Sequence, residues 1–133
     1  MRRWRYLKYV RHPFLGIKTL SLAVLGIPFS LWLVNVIFQR VFRQNSEFPF
    51  SVHFTSRVIP GPGIEIGRHV WKSFALSGGC YIQGVNGIQI GDGTLFAPGV
   101  KIISANHDPQ QLSQWLKAPP IRIGKRCWIG ANA

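Results

Sequence analysis

The groups best suited to chemistry lie in the second half of the chain. His107 stands in the run Asn106-His107-Asp108, and an imidazole at such a position can take a proton from a hydroxyl group near neutral pH. Four basic side chains follow that could attract phosphate groups or form a solvated surface: Lys117, Arg122, Lys125 and Arg126. His53, His69 and His107 lack the His-x4-His pair that would favour a zinc site, so we predict no metal.

The size and composition of the chain narrow the classes of protein that these groups could serve. The 133 residues make one domain and exclude a multidomain enzyme. The net charge is +12, but 47% of the residues are hydrophobic and only 15% are charged, which excludes a disordered basic tail. Cys80 and Cys127 are too few for a disulfide framework. Eight of the basic residues and none of the acidic ones precede Glu47.

The first part of the chain, residues 1–57, is a basic and hydrophobic arm with a linker. Residues 19–38 run without a charge, and as a helix they would measure about 30 Å, the thickness of the hydrocarbon core of a bilayer. Aromatic side chains of the kind enriched at membrane interfaces accompany the flanking bases: Trp4, Tyr6, Tyr9 and Trp32. The arm therefore points to a membrane.

Gly26 and Pro28 predict a break near the middle of the apolar run. The break favours a helix that dips into one leaflet and returns over one that spans the bilayer. A helix packed on the rest of the chain or on a partner subunit is a third possibility. We predict that residues 1–43 associate with the cytoplasmic face of a membrane. Nucleic acid is disfavoured as a partner, because residues 58–133 show no nucleic-acid-binding module.

Residues 58–133 contain a repeat. Three segments share the motif Ile-x-Ile-Gly, in which isoleucine alternates with a polar residue. The alternation predicts strands that each end at a glycine: Ile64-Glu65-Ile66-Gly67, Ile88-Gln89-Ile90-Gly91 and Ile121-Arg122-Ile123-Gly124. Large apolar residues also recur in one six-residue register: Ile66, Ile90, Phe96, Ile102, Ile123 and Ile129. No α-helix has this period, whereas three short strands joined at glycine corners would make a coil of about eighteen residues. The register is irregular between Trp71 and Gln89.

Three runs carry a resemblance to a known family: Ile90-Gly91-Asp92-Gly93-Thr94-Leu95-Phe96-Ala97-Pro98-Gly99-Val100, Asn106-His107-Asp108 and Trp128-Ile129-Gly130. They resemble the hexapeptide-repeat acyltransferases, and within them the sugar O-acetyltransferases of the maltose and galactoside type. The resemblance covers roughly residues 64–133. It implies a mainly β fold, a left-handed parallel β-helix of about three coils after the helical arm. It also implies a homotrimer with acetyl-CoA in the groove between neighbouring subunits.

The resemblance also implies roles for individual residues. His107 would be the general base, oriented by Asp108 or Asp92 unless Asp92 only forms a corner. The backbone N–H of Ala131 would stabilise the oxyanion. Trp128 would line the groove for acetyl-CoA, and the four basic residues Lys117, Arg122, Lys125 and Arg126 would attract its phosphates. Candidate contacts to the acceptor are Ser77, Gln83, Asn86 and Trp115. Where the resembling enzymes have an Asn and an Asp, this chain has Ser77 and Val85, so the resemblance does not extend to maltose or a galactoside as the acceptor.

The sequence therefore predicts a membrane-associated enzyme that transfers an acetyl group from acetyl-CoA to a hydroxyl of a polysaccharide or lipid-linked sugar. Residues 58–133 provide about three coils and stop within a hexad, so we expect an incomplete β-helix domain. Two alternatives stay open: an inactive, truncated β-helix that serves as a membrane-bound assembly partner, and a zinc carbonic anhydrase of the same fold.

Overall fold

The computed structural model describes residues 26–133, which form eight short strands and two helices. In chain order the elements are α1 (Phe29–Arg40), β1 (Arg57–Ile59), β2 (Ile64–Ile66), α2 (Trp71–Leu76), β3 (Tyr81–Gln83), β4 (Ile88–Ile90), β5 (Leu95–Phe96), β6 (Lys101–Ile103), β7 (Ile121–Ile123) and β8 (Trp128–Ile129). The described part of the chain is mainly β, as the sequence predicts.

The strands form three small parallel sheets, and the chain visits them in turn. The first sheet has the order β1-β3-β6, the second β2-β4-β7, and the third contains β5 and β8. The three copies of the Ile-x-Ile-Gly motif form the second sheet, where Ile64, Ile88 and Ile121 lie side by side in register. The prediction of short parallel strands joined by corners is confirmed. The left-handed sense of the winding stays a prediction.

The core lies between the three sheets. The large residues of the six-residue register all belong to it, with Ile90, Phe96 and Ile102 buried and the other three packed against them. The turn between β5 and β6 shows why glycine marks the corners. Gly99 has a φ of +78°, and a Cβ atom there would lie 2.1 Å from Oδ1 of Asn132. A residue with a side chain would be strained at this corner.

Helix α2 explains the irregular register between Trp71 and Gln89. The second and third copies of the Ile-x-Ile-Gly motif are 33 residues apart because the long loop between β6 and β7 separates them. The first and second copies are 24 residues apart, although no such loop lies between them. A coil of three six-residue sides would take about eighteen. Helix α2 adds six residues and lies where the first coil would have a strand of the third sheet.

Helix α2 uses side chains to bond the edge of that sheet. The hydroxyl of Ser73 accepts a hydrogen bond from the Phe96 N–H at 3.1 Å, and the hydroxyl of Ser77 donates one to the Phe96 carbonyl at 2.7 Å. At the edge of the first sheet Asn45 acts similarly, because its Oδ1 accepts from the Val58 N–H at 2.9 Å and its Nδ2 donates to the Ser56 carbonyl. Backbone groups at these edges are thereby satisfied without another strand.

Helix α1 begins directly after the break predicted at Gly26 and Pro28. Gly26 has a φ of +75°, and Pro28 supplies the first residue before the helix. Ile27 is buried against Trp71 and Ala75 of α2. The rest of the predicted membrane arm, residues 1–25, lies outside the described residues. Within residues 26–133, no helix combines the length and the apolar character needed to cross a bilayer.

The side of α1 that faces the coils combines apolar and polar side chains: Leu31 and Trp32 pack against α2, and Asn35 and Gln39 are buried. Asn35 is fully buried, donates from Nδ2 to the Ala75 carbonyl and to Ser51 Oγ, and accepts at Oδ1 from the Phe54 N–H. Gln39 is also buried and bonds to the backbone of Phe50 and Val52. Residues 27–54 are thus held on the coils by specific hydrogen bonds. The division of the chain at residue 57 stays a prediction.

Replacing Asn35 with alanine is expected to lower the free energy of unfolding by about 2–4 kcal/mol, because buried groups of Phe54 and Ala75 would lose their partner. Urea titration followed by circular dichroism would measure this loss. The exposed Ser30 lies in the first turn of the same helix, and Ser30→Ala provides a control that should change stability little. Equal midpoints for the two variants would contradict this account of how α1 is held.

Asp92 forms a corner between neighbouring coils. Its carboxylate accepts hydrogen bonds from the backbone N–H of Arg68 at 2.8 Å and from the Arg68 guanidinium at 3.1 Å. The backbone bond, followed by the guanidinium, lowers the pKa of Asp92 below its ordinary value. The more favoured prediction for Asp92, a corner residue, is confirmed.

This corner predicts a pH dependence of stability. Because the folded protein lowers the pKa of Asp92, its contribution is complete above the pKa of the unfolded state, about 3.9, and is lost as the pH falls through the lower folded value. Asp92→Asn should therefore reduce stability at neutral pH and lose less of it between about pH 5 and pH 2. Thermal melts across this range, with Glu47→Gln as an exposed control, would show the difference. Parallel curves for Asp92→Asn and the unsubstituted chain would contradict it.

Candidate active site

The predicted base lies in a loop that joins the first sheet to the second, between β6 and β7. The loop folds back on itself through two backbone hydrogen bonds, from Leu116 N–H to the Asn106 carbonyl and from Asp108 N–H to the Gln114 carbonyl, each 2.9 Å. An antiparallel bridge pairs His107 with Trp115 between them. This local pairing gives His107 a defined position in an exposed loop.

Two contacts hold the ring of His107. Its Nδ1 lies 2.6 Å from the Leu112 carbonyl, and its ring packs on Trp115 with a centroid distance of 4.0 Å. A carbonyl oxygen only accepts hydrogen bonds, so the Nδ1 atom must carry the proton. In the neutral imidazole Nε2 then keeps its lone pair, the arrangement that a general base requires.

The group that orients His107 is a backbone carbonyl and not a carboxylate. Asp108 accepts a hydrogen bond at Oδ1 from the Gln110 N–H at 2.8 Å, which shapes the loop. Asp92 bonds to Arg68 at its corner. Within the described residues neither carboxylate bonds to His107, so the expectation that Asp108 or Asp92 orients the imidazole is wrong. A carbonyl leaves no mark in the sequence, and only the fold could bring that of Leu112 to the ring.

Two of the predicted acceptor contacts hold the base of this loop instead. Asn86 donates from Nδ2 to the Ser104 carbonyl and to the Leu116 carbonyl, both at 2.9 Å. Gln83 is buried and accepts at Oε1 from the Ala105 N–H. Asn86 is thus bonded to the backbone both before and after His107, and Gln83 is bonded to the backbone before it. Their polar groups therefore position the loop.

Ser77 also has its hydroxyl committed to the protein. The residue is buried, and its Oγ donates to the Phe96 carbonyl in the edge contact described above. The acceptor contact predicted for Ser77 is thus replaced by a structural bond. Trp115 is the predicted acceptor residue that adjoins His107 directly, and 44% of its surface is exposed.

Two of the predicted groove residues, Arg122 and Trp128, lie on strands of the second and third sheets, and the other three lie in the connections beside them. Arg122 and Lys125 line a shallow groove of about 420 Å³ across the second sheet, together with Glu65 and Gln89. Arg126 lies in the following turn, with a φ of 56°, and Lys117 is exposed in the loop after Trp115. Two cations and one carboxylate thus share the groove, which gives it a partly basic lining.

Trp128 and Ala131 lie at and just after β8. Trp128 is 69% exposed and stands beside Leu95 of β5 on the outer face of the third sheet. Ala131 is exposed in the turn that follows. Both positions are open to a ligand, as their predicted roles require.

His53 differs from His107 in its burial and in its hydrogen-bond partner. His53 is half-buried, and its Nδ1 lies 2.9 Å from the Thr55 hydroxyl and accepts a hydrogen bond from the Thr55 N–H. Burial lowers its pKa below the ordinary value. Across residues 26–133, no three His, Cys, Asp or Glu side chains are grouped so that they could hold a metal ion.

Part of this chain is similar in sequence to known proteins. Over 76 residues it is 42% identical to Nodulation protein L of Rhizobium meliloti (strain 1021), a match that covers 55% of this chain and 39% of that protein. Nodulation protein L of Rhizobium leguminosarum bv. viciae is 38% identical over 76 residues, which cover 55% and 38%. A protein of Dictyostelium discoideum that is named as an acetyltransferase is 34% identical over 82 residues, which cover 59% and 41%.

These similarities are partial. The chain spans about two fifths of the length of the curated relatives that it matches. No family model matches it, and no solved structure is significantly similar. The similarity to these proteins extends over somewhat more than half of this chain.

Proposed function

We propose that this protein is an O-acetyltransferase that moves an acetyl group from acetyl-CoA to a sugar hydroxyl. The observation that carries the proposal is the orientation of His107, whose Nδ1 faces the Leu112 carbonyl so that Nε2 is left to accept a proton. Similarity to a protein named as an acetyltransferase supports the reaction class. The sugar acceptor and the donor follow from the motifs of the sequence.

The residues divide the work of the reaction. His107 Nε2 takes the proton of the acceptor hydroxyl as its oxygen attacks the thioester carbonyl carbon, and the N–H of Ala131 stabilises the negative charge that develops on the carbonyl oxygen. When the carbon–sulfur bond breaks, the imidazolium of His107 returns the proton to the departing thiolate. The products are an acetate ester and the free thiol of CoA, so no proton or electron is left over.

Two different sets of residues are assigned to the binding of the sugar and of acetyl-CoA. Trp115 packs on the His107 ring with part of its face open, and aromatic faces of this kind suit the apolar face of a sugar. Arg122, Lys125, Arg126 and Lys117 provide positive charge for the phosphates of CoA, and Trp128 provides an apolar wall. The three sheets wind as a left-handed β-helix in this proposal, and three copies of the chain complete the groove.

The acceptor is a polysaccharide or a lipid-linked glycan, and the enzyme works at the cytoplasmic face of a membrane. This part of the proposal rests on the basic and hydrophobic arm, which has eight basic residues before its first acidic one. Anionic headgroups attract such a segment. An enzyme held at the surface meets a lipid-bound acceptor far more often than a free one does.

The direct test is transfer of acetyl from acetyl-CoA to a panel of oligosaccharides. Release of the CoA thiol and the gain of one acetyl group in the product, measured by mass spectrometry, would support the reaction. Mild alkali should remove the group again, since it cleaves esters and leaves amides intact. Thiol release that does not depend on any sugar, or a product stable to alkali, would overturn O-acetyl transfer to sugars.

A further inference from the structure

Helix α1 exposes a row of apolar side chains to solvent, although Leu31 and Trp32 already pack against α2. Its polar residues Asn35 and Gln39 face the coils and are buried. On the opposite side an apolar row, here named the α1 stripe, is exposed by 39–69%: Phe29, Leu33, Ile37, Val41 and Phe42. Three of these follow one another at intervals of four residues, so they share one face of the helix. A helix that packs on a soluble body normally turns polar or charged side chains to solvent instead.

Positive charge accompanies the stripe. Arg40 and Arg43 are exposed at its C-terminal end, and no acidic residue occurs within α1 or before it. The helix has 12 residues, or about 18 Å, which is too short to cross a hydrocarbon core of about 30 Å. A short helix with an apolar face and basic flanks is suited to lie flat in the headgroup region.

We propose that the α1 stripe is the surface by which this protein lies on an anionic lipid bilayer. The inference refines the membrane location given under the proposed function and rests on it only for its biological setting. The buried bonds of Asn35 and Gln39 tie α1 to the coils, so the helix contacts lipid with its outer side chains and stays on the body. In this proposal α1 lies on the surface of the bilayer, in place of the re-entrant helix that the sequence favours for residues 19–38.

Charge favours lipid over a second copy of the chain. Each copy of the chain carries a net charge of +12, so two copies joined through the stripe would repel each other. Acidic headgroups would instead neutralise the guanidinium groups of Arg40 and Arg43. An anionic bilayer supplies both the apolar phase and the opposite charge that the surface lacks.

The test uses the full chain and sedimentation with vesicles of phosphatidylcholine that contain or lack phosphatidylserine. Leu33→Asp should weaken binding to the phosphatidylserine vesicles by at least about tenfold, because a buried leucine contact is lost and a negative charge is added. Leu95→Asp is the matched control, since Leu95 has the same exposure of 43% but lies on the third sheet. Phe42→Asp, outside the helix, provides a second stripe variant in case Leu33→Asp does not fold.

The charge component can be measured separately. Arg40→Gln combined with Arg43→Asn should weaken binding to the phosphatidylserine vesicles by about tenfold or more and change binding to pure phosphatidylcholine little. Asparagine is used at position 43 because Arg43 has a φ of 58°, which asparagine tolerates.

Defined outcomes would overturn the proposal. The first is binding of folded Leu33→Asp or Phe42→Asp as tight as that of the unsubstituted chain, which would assign the membrane contact to residues 1–25. The second is a change in the mass measured by light scattering without a change in vesicle binding, which would make the stripe an interface between copies. Acetyl transfer to a soluble sugar, measured without vesicles, tests the proposed function independently of both.

Discussion

Alanine in place of His107 is expected to lower kcat for acetyl transfer by about 10²–10⁴-fold, the usual contribution of a general base. The loss should fall on kcat and leave the KM for acetyl-CoA nearly unchanged, because the proposal gives His107 a proton transfer and no contact with the phosphates of CoA. Thiol release at saturating acetyl-CoA and sugar would measure it. His107→Gln keeps a polar side chain but cannot take up the proton, and it should be equally impaired.

A matched control comes from the same residue type. His69 is exposed and has a φ of 69°, so His69→Asn preserves the backbone there and should retain full turnover. A His107→Ala protein that folds and turns over at the unsubstituted rate would remove His107 from the mechanism. The Leu112 carbonyl contact would then be a structural feature of the loop.

The second large effect is expected from Asn86→Asp. The amide nitrogen of Asn86 donates to the Ser104 and Leu116 carbonyls, and a carboxylate in its place would face two carbonyl oxygens with no proton to share. The base of the loop should open and His107 should lose its alignment. Because displacement by about 1 Å can cost about 100-fold in rate, we expect a fall in kcat of that order.

The Asn86 prediction separates positioning from general stability. Gln110→Glu makes the same amide-to-carboxylate change on an exposed side chain of the same loop and should leave kcat within about twofold. Hydrogen exchange should quicken at the Leu116 amide in Asn86→Asp and stay slow in β2 and β4. A fall in activity that only parallels a loss of overall stability would contradict a positioning role.

The parallel sheets could be predicted because their residues repeat in the sequence. The motif Ile-x-Ile-Gly marks β2, β4 and β7, and its isoleucines are in register. Because the repeated motif pairs with itself, this sheet could be predicted without knowing any contact to the rest of the chain. His107 and Trp115 could likewise be named from the motif and the loop, although their stacking could not.

Features that depend on contacts between distant residues could not be predicted. The sequence gives no sign that α2 replaces a strand, since Ser73 in the helix and Ser77 just after it are ordinary polar residues until Phe96 lies beside them. The polarity of α1 was hidden for a similar reason. Asn35 and Gln39 look like polar interruptions of an apolar run, and only their partners at Ala75 and Phe50 show that they face inward.

Side chains occupy the edges of two sheets at one end of the stack of coils. At Phe96 and Val58 the groups that another strand would need are occupied by Ser73, Ser77 and Asn45. Strand addition by a neighbouring molecule, the usual route to aggregation of β proteins, is therefore blocked at these two edges. An additional coil could pair at these two edges only by displacing the side chains that now occupy them, whereas β6, β7 and β8 lie at the other ends of their sheets.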